Sequence, residues 1–228
     1  MIWPDDYLTK PLLMFITFEG PDGSGKSTQA RQLAEYLQSR GEDVLLTREP
    51  GGTAIGDQIR NILHSHDNAA MAATTEFFLY NAARAQIVAE VIRPALAAGK
   101  VVLSDRFADS TVAYQGYGRQ LDLNLVHRIT DLATAGLKPD LTFFIDISVE
   151  EGLRRRKDGH AHGAEWNRMD SQSREFYERA RRGYEELIRA EPARWVCVNG
   201  AKSVDTVQAE LRKAVDLALE QFRQTTTA

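Results

Sequence analysis

Short apolar runs alternate with longer amphipathic segments along most of this chain. The runs are rich in β-branched and aromatic residues, end at charges or turn formers, and lack strict alternation of apolar and polar positions. That pattern is typical of parallel strands buried on both faces. The runs lie at residues 14–19, 44–47, 101–104, 141–146 and 195–198. Strands separated by helices favour right-handed crossovers, so the sequence predicts an α/β fold: a five-stranded parallel sheet with helices on both faces.

The segments between the runs have the spacing of helices. Leu33 and Leu37 recur four residues apart and predict a helix that follows Ser27. Between residues 75 and 98 a second helical pattern contains Pro94, which is expected to kink or shorten it. A stripe of apolar residues near the end of the chain predicts a last helix, with Ser203 as its N-cap.

Composition narrows the class of protein. The 228 residues are 43% apolar and 26% charged, which suits one domain over 13–228 preceded by an extension at 1–12. The net charge of −4 argues against nucleic acid as a partner. No run is long enough to cross a membrane, the opening segment does not resemble a secretory signal, and the lone Cys197 cannot form an intramolecular disulfide. We therefore expect a cytoplasmic protein.

The segment from Gly20 to Ser27 fits the pattern G-x-x-x-x-G-K-[ST] between a predicted strand and a predicted helix. In this setting glycines let backbone N–H groups converge on phosphate oxygens at a helix N-terminus. Lys26 can reach the β- and γ-phosphates, and the Ser27 hydroxyl is placed to bind Mg²⁺. A glycine-rich turn without a ligand is the alternative, which the flanking strand and helix disfavour. The motif predicts a P-loop NTPase fold.

Asp22 lies inside this loop, where a carboxylate would repel the bound phosphates. It should therefore point elsewhere, toward a hydroxyl of a second substrate. An Asx side chain that merely stabilises the turn is the alternative.

Ligands of open α/β sheets bind at the carboxyl ends of the strands. Arg48 and Arg106 follow two of these predicted ends, and a pair of arginines beside a P-loop indicates a second phosphorylated ligand rather than solvated surface charges. Asp105 follows an apolar run as a Walker B carboxylate does, so it is expected to orient Mg²⁺. An ion pair with a neighbouring arginine is the other interpretation of Asp105.

A basic cluster at 154–157 precedes a segment, 158–167, whose glycines and histidines suit a mobile loop. We expect a lid at about 154–170 that brings positive charge to a transferred phosphoryl group and excludes water. The alternative is a solvated basic helix end. His160 and His162 are interpreted as surface residues, because neither a cysteine nor a third ligand lies nearby.

Several blocks together resemble the bacterial thymidylate kinase family over most of the chain. They are FEGPDGSGKST at 18–28, TREPGGT at 47–53, LYNAAR at 79–84, DRF at 105–107, STVAYQG at 110–116 and PDLT at 139–142. The resemblance implies transfer of the γ-phosphoryl group of ATP to dTMP, giving dTDP, with Mg²⁺. It also implies a homodimer, formed through helices outside the active site.

The resemblance also implies site residues. ATP would be bound by Gly20, Pro21, Asp22, Gly23, Ser24, Gly25, Lys26, Ser27 and Thr28, and Mg²⁺ by Ser27 and Asp105. Lys26 and Arg106 would be catalytic, and the lid would supply Arg155, Arg156 or Arg168 because the P-loop itself lacks an arginine.

The dTMP side would use a further set of residues. Asp22 would face the 3′-hydroxyl, and Arg48 and Arg106 would hold the acceptor phosphate. The remaining members would contact the nucleoside: Tyr80 stacking on thymine, Arg84 bonding the base, Thr111 and Gln115 reading its edge or phosphate side, Tyr114 beneath the sugar, and Ser110 nearby.

Two other functions stay open on sequence. One is a P-loop kinase that acts on another nucleoside monophosphate or on a nucleoside. The other is a regulatory NTPase, which should lack the acceptor arginines and the base-binding block.

Overall fold

The computed structural model describes residues 14–163 and 165–226. The predicted extension at 1–12 lies outside the described residues. The described strands are β1 (Phe15–Glu19), β2 (Val44–Arg48), β3 (Val101–Asp105), β4 (Leu141–Asp146) and β5 (Trp195–Asn199). The described helices are α1 (Lys26–Ser39), α2 (Ala54–His64), α3 (Ala73–Ile87), α4 (Arg93–Ala97), α5 (Ala108–Thr111), α6 (Leu123–Thr134), α7 (Val149–Ala161), α8 (Arg174–Ala190) and α9 (Val204–Thr226). None of these described helices combines the length and apolar character that a bilayer span requires.

The strands form one parallel sheet in the order β2-β3-β1-β4-β5. Phe18 of β1 and Arg48 of β2 both pair with Asp105 of β3. Because all the strands point the same way, the loops after β1, β2 and β3 leave from one edge of the sheet, as the sequence predicted.

Successive β1 side chains face opposite layers. Ile16 packs with α1 and α9 on one face, in a cluster that includes Leu33 and Leu211. Phe15 packs on the other face with the segment that precedes α4. Helices therefore cover both faces, and the predicted α/β class is confirmed.

The expectation that every strand is buried on both faces is wrong at the two edge strands, β2 and β5. All five residues of β1 are buried, whereas β2 is half exposed and Leu46 keeps 40% of its surface accessible. An edge strand has a neighbour on only one side, so it is covered less well than β1.

The helical pattern around Pro94 is divided by a π-helical segment, Val88–Ile92, that separates α3 from α4. Pro94 lies in the first turn of α4, directly after the π-helical segment, at a position where a continuous helix would use the N–H that proline lacks. The predicted irregularity is present. At the last helix, Ser203 Oγ accepts from the backbone N–H of Thr206 at 3.2 Å, which confirms the predicted cap.

The segment 158–167 was expected to be a loop throughout, and this is wrong for its first residues. Helix α7 continues to Ala161, and Arg154 supports it by bonding Glu151 and Asp158 across successive turns of the helix. After the connection that follows α7, a 3₁₀ turn forms at Arg168–Ser171, capped by Asn167.

Candidate active site

The P-loop connects β1 to α1 as the motif predicted. Gly23 has a φ of +80°, and a Cβ there would come within 2.7 Å of the Gly152 carbonyl oxygen. Lys26 Nζ donates to the carbonyl oxygens of Gly20 at 3.0 Å and Pro21 at 2.8 Å. Burial lowers the pKa of Lys26 to about 8, so the ammonium lies in a poorly solvated position where a phosphate would be a favourable partner.

Ser27 and Asp105 meet at the start of α1. The Ser27 hydroxyl donates a short hydrogen bond to the Asp105 carboxylate. None of the ion pairs among residues 14–163 and 165–226 includes Asp105, so the structure does not bear out the alternative of an arginine pair. A hydroxyl and a carboxylate oxygen are hard donors that fit Mg²⁺, which otherwise keeps water and takes substrate phosphate oxygens.

That donor set is small. Among the described residues no group of three His, Cys, Asp or Glu side chains could hold a metal ion.

Arg106 bridges the two sides of the site. Its Nη2 donates to Asp22 Oδ1 at 2.6 Å, and its guanidinium lies 5.0 Å from the ring centroid of Tyr114. Burial would raise the pKa of Asp22, but Arg106 and Lys26 hold it at about 2, so the carboxylate is ionised. Asp22 bonds Arg106 rather than Lys26, although the Lys26 ammonium is near enough for its charge to lower the pKa of Asp22.

The backbone of Arg106 adopts the left-handed conformation, with φ +72°. Such a conformation costs a non-glycine residue about 1–3 kcal/mol and persists only where its surroundings impose it. Here the backbone N–H of Arg106 donates to Phe18 at 2.9 Å, and Nη1 donates to Ser110 at 2.9 Å.

Glu19 holds the residues around Arg106 in place by hydrogen bonds, and sequence reasoning missed this residue. Its fully buried carboxylate accepts from Phe107 N at 2.8 Å, Ser110 Oγ at 2.6 Å and Tyr184 OH at 2.7 Å. The feature that could have revealed Glu19 in the sequence is its position, an acidic residue at the end of β1 directly before the P-loop. Tyr184 comes from α8 and carried no such signal.

Arg48 lies at the outer rim of the cleft. Its side chain is 48% exposed, and Nη2 pairs with Asp57 Oδ1 at 3.1 Å. Arg60, which the sequence analysis did not select, lines the same cleft and donates to Pro50 O at 3.1 Å. The exposed position leaves Arg48 free to reorient toward an anion.

Arg84 is buried at the bottom of the cleft. It donates to Glu49 Oε2 at 2.8 Å, Thr111 Oγ1 at 2.7 Å and the Phe107 carbonyl oxygen at 3.0 Å. Burial raises the pKa of Glu49 to about 7, although Arg84 opposes this shift. Glu49 also retains an oxygen, Oε1, that is buried without a hydrogen-bond partner.

The candidate lid arginines separate into two kinds. Arg155 donates to Glu151 Oε1 at 2.6 Å, Arg156 donates to Asp170 Oδ2 at 2.7 Å, and both line the cleft. Arg168 is buried instead, donating to the Leu63 carbonyl oxygen at 2.9 Å and to Glu76 at 2.6 Å. The geometry thus gives Arg168 a supporting position.

These groups surround one cleft of about 470 Å³. It brings together most of the predicted residues: Asp22, Gly23, Gly25, Lys26, Ser27, Thr28, Arg48, Tyr80, Arg84, Asp105, Arg106, Ser110, Thr111, Tyr114, Gln115, Arg155 and Arg156. The cleft lining also includes residues that the sequence analysis did not select: Glu49, Pro50, Arg60, His64, Asn167, Met169 and Asp170.

A family model, similar sequences and a solved structure all relate this chain to the same family. A family model described as thymidylate kinase matches residues 18–211. The thymidylate kinase of Roseiflexus sp. (strain RS-1) is 50% identical over 211 residues, which cover 89% of this chain and 93% of that protein. The thymidylate kinase of Geotalea uraniireducens (strain Rf4) is 50% identical over 203 residues, covering 88% and 95%. The crystal structure of thymidylate kinase from Ehrlichia chaffeensis superposes with a TM-score of 0.71 at 36% identity, covering 89% of this chain and 98% of that one.

Proposed function

The chain belongs to the thymidylate kinase family and phosphorylates dTMP to dTDP with ATP, and we propose that the cleft at the carboxyl edge of its sheet carries out this reaction. The observation that supports the assignment to this cleft is the 2.6 Å contact between Arg106 and Asp22. It places a cation for an acceptor phosphate directly beside the loop that binds donor phosphates.

The donor side consists of the P-loop. Its backbone N–H groups and Lys26 bind the β- and γ-phosphates of ATP at the N-terminus of α1. Bound at Ser27 and Asp105, Mg²⁺ would neutralise negative charge on the phosphate oxygens of ATP.

The acceptor side consists of arginines and the nucleoside pocket. Arg106 and Arg48 bind the phosphate of dTMP, and Asp22 accepts a hydrogen bond from the 3′-hydroxyl. Tyr80 stacks on the base, while Tyr114 packs beneath the sugar. The nucleoside pocket continues through Arg84, Ser110, Thr111 and Gln115, which line the same cleft.

The chemistry needs alignment more than proton transfer. The attacking group is a phosphate monoester that is already anionic at neutral pH, so a strong general base is unnecessary. Lys26 and Arg106 hold the donor and acceptor oxygens in line and stabilise the charge of the transition state.

Arg156 completes the positive environment. It lines the cleft, and its charge contributes to the low pKa of Asp22. Arg155 lies nearer the P-loop, where its Cβ would be 3.2 Å from a Cβ at position 23. We assign Arg156 the contact with the transferred phosphoryl group, Arg155 a contact with the donor, and Arg168 a supporting role.

A second copy of the chain is the proposed partner. Five large apolar side chains are exposed on α2, α3 and α6. They are Ile55 (50% exposed), Ile62 (46%), Phe78 (55%), Leu125 (47%) and Leu132 (68%). Of these helices, α2 packs against α3 and α3 packs against α6. A homodimer through these helices would cover the face and leave the cleft open. The substrates and the lone cysteine support a cytoplasmic location.

A panel assay tests the assignment. ADP release is measured with dTMP, dUMP, AMP and dCMP as acceptors, with and without Mg²⁺. We expect Mg²⁺-dependent ADP release that is fastest with dTMP. Equal rates with all four acceptors would favour a broader monophosphate kinase, and ADP release that needs no acceptor would favour a regulatory NTPase.

A further inference from the structure

Glu76 of α3 is a buried carboxylate that receives N–H donors from three side chains. Oε1 accepts from Gln115 Nε2 at 2.9 Å and Arg119 Nε at 3.0 Å, while Oε2 accepts from Arg119 Nη2 at 2.8 Å and Arg168 Nη2 at 2.6 Å. Only 1% of its surface is accessible. Glu76 is thus held in one place, and everything around it donates.

The charge state of Glu76 determines which way the Gln115 amide points. Burial would raise the pKa of Glu76, but hydrogen bonds from Arg119 and its charge outweigh burial and lower it. An ionised carboxylate can only accept hydrogen bonds. The atom of Gln115 that faces Glu76 must therefore be the amide nitrogen, and the amide oxygen must point away from it.

That amide oxygen is the polar atom of Gln115 left for the cleft, although only 2% of the residue is exposed. Gln115 lines the cleft together with Tyr80 and Arg84. Its oxygen accepts no hydrogen bond from residues in the described ranges, and it is not sealed away from solvent. Gln115 therefore presents a hydrogen-bond acceptor to a bound base.

Arg84 presents the complementary donor. Its Nε and Nη2 bond Glu49 and the Phe107 carbonyl oxygen, and one hydrogen of Nη1 bonds Thr111. One N–H of Nη1 remains. Donor and acceptor together match thymine, which offers the O4 acceptor beside the N3–H donor. Cytosine offers the opposite order, an amino donor beside an N3 acceptor.

We propose that Glu76 is a positioning residue that sets the preference for thymine over cytosine by fixing the orientation of the Gln115 amide. This inference rests on the proposed function, since it assumes that the base of dTMP lies in this part of the cleft. Uracil shares O4 and N3–H with thymine, so the device separates dTMP and dUMP from dCMP and does not distinguish the first two.

Glu76→Gln is the test. The oxygen of the new amide should take the Oε2 side, where Arg119 and Arg168 make the two shortest contacts. Its NH₂ then faces Arg119 Nε, which loses its acceptor, and Gln115, whose amide must turn over and present a donor to the cleft. We expect the ratio of kcat/KM for dCMP to that for dTMP to rise about 10- to 100-fold, since an unpaired buried polar group is penalised strongly.

A merely structural role for Glu76 would change all three substrates alike. The ratio for dUMP to dTMP should therefore stay at its wild-type value in Glu76→Gln, while the dCMP ratio rises. A dCMP ratio that does not change, or that changes together with the dUMP ratio, overturns the inference. Glu186→Gln, which removes an exposed carboxylate from an ion pair with Arg189, is the matched control and should leave both ratios unchanged.

A second variant keeps the test decisive if Glu76→Gln does not fold. Gln115→Met leaves Glu76 paired with both arginines and removes the acceptor, so the dCMP ratio should rise about 10-fold. A wild-type ratio in Gln115→Met overturns the inference. If the wild-type enzyme instead releases no ADP with dTMP, the proposed function fails first, which separates the two outcomes.

Discussion

Arg106 Nη2 lies 2.6 Å from Asp22 Oδ1, although the two residues are 84 positions apart in the chain. The contact joins the residue after β3 to the loop after β1. It also buries a guanidinium between Asp22 and the Tyr114 ring, 5.0 Å from its centroid. The P-loop and the arginine proposed for the acceptor phosphate are therefore parts of one electrostatic unit, so a change to Arg106 should separate phosphoryl transfer from nucleotide binding.

Arg106→Ala removes the cation proposed for the acceptor phosphate. We expect kcat/KM for dTMP to fall about 10²–10³-fold, as for loss of a preorganised charge-stabilising group. Affinity for a non-hydrolysable ATP analogue, measured by calorimetry, should stay near the wild-type value. Arg182→Ala, on the exposed face of α8, is the control. An unchanged kcat/KM in Arg106→Ala would remove the acceptor assignment.

Arg156→Ala should lower kcat by about 10³-fold, because it removes the arginine proposed to contact the transferred phosphoryl group. Arg154 precedes it by two residues on the same helix but is 61% exposed and pairs with Glu151 and Asp158. Arg154→Ala should therefore leave kcat within about twofold, the scale of an exposed ion pair. Single-turnover kinetics at saturating substrates compare the two, and equal effects would argue against Arg156.

Arg168→Ala tests stability rather than catalysis. Removing it leaves Glu76 with Arg119 as its remaining charged partner and takes a donor from the Leu63 carbonyl oxygen. We expect the free energy of unfolding to fall by about 3 kcal/mol, the lower end for breaking a buried pair. In Arg174→Ala the lost pairs are exposed, so the change should stay below about 1 kcal/mol. Urea denaturation of both variants measures the difference.

The raised pKa of Glu49 predicts that the free energy of unfolding depends on pH. Its pKa is about 7 in the folded protein against 4.5 in the unfolded chain, so the folded state binds the extra proton between these values. Stability from this group is therefore lost as pH rises from about 4.5 to about 7, by about 1–3 kcal/mol. His64 acts in the opposite sense. Burial lowers its pKa from 6.5 to about 4, so its contribution to the stability of the fold is lost as the pH falls.

The difference between wild type and Glu49→Gln isolates the Glu49 contribution, because His64 is common to both. Urea denaturation at several pH values should show the wild type losing stability relative to Glu49→Gln between about pH 5 and 7. Parallel curves across this interval would contradict the prediction.

Leu132→Glu tests the proposed dimer. Leu132 is 68% exposed on α6, and a carboxylate buried in an apolar interface is strongly unfavourable. Analytical ultracentrifugation should show a dimer for the wild type and a monomer for the variant. Leu217→Glu, at a 52% exposed leucine on α9, should remain dimeric. A monomeric wild type would exclude the interface altogether.

Sequence reasoning worked best where the chemistry is local. The P-loop from Gly20 to Ser27 is contiguous, and Asp105 was predicted at a strand end on the same edge of the sheet. The pairing of β1 with β3 brings it beside Ser27. Sequence reasoning worked less well at the end of α7, where the helix continues to Ala161 through residues whose glycines and histidines suggested a loop.

The sequence by itself determined the alternation of strands and helices, the phosphate loop and the charged residues that follow the strands, because each depends on neighbours within a few positions. Only the tertiary structure decided which partners those charges meet. Sequence reasoning gave no role to Glu19, Glu49 or Glu76, although the first two lie in blocks that resemble the family. Burial beside Tyr184, Arg84 and Arg119 gives each a defined role. A buried charge without a partner is strongly destabilising, and which residue serves as its partner depends on the packing of the fold rather than on distance along the chain.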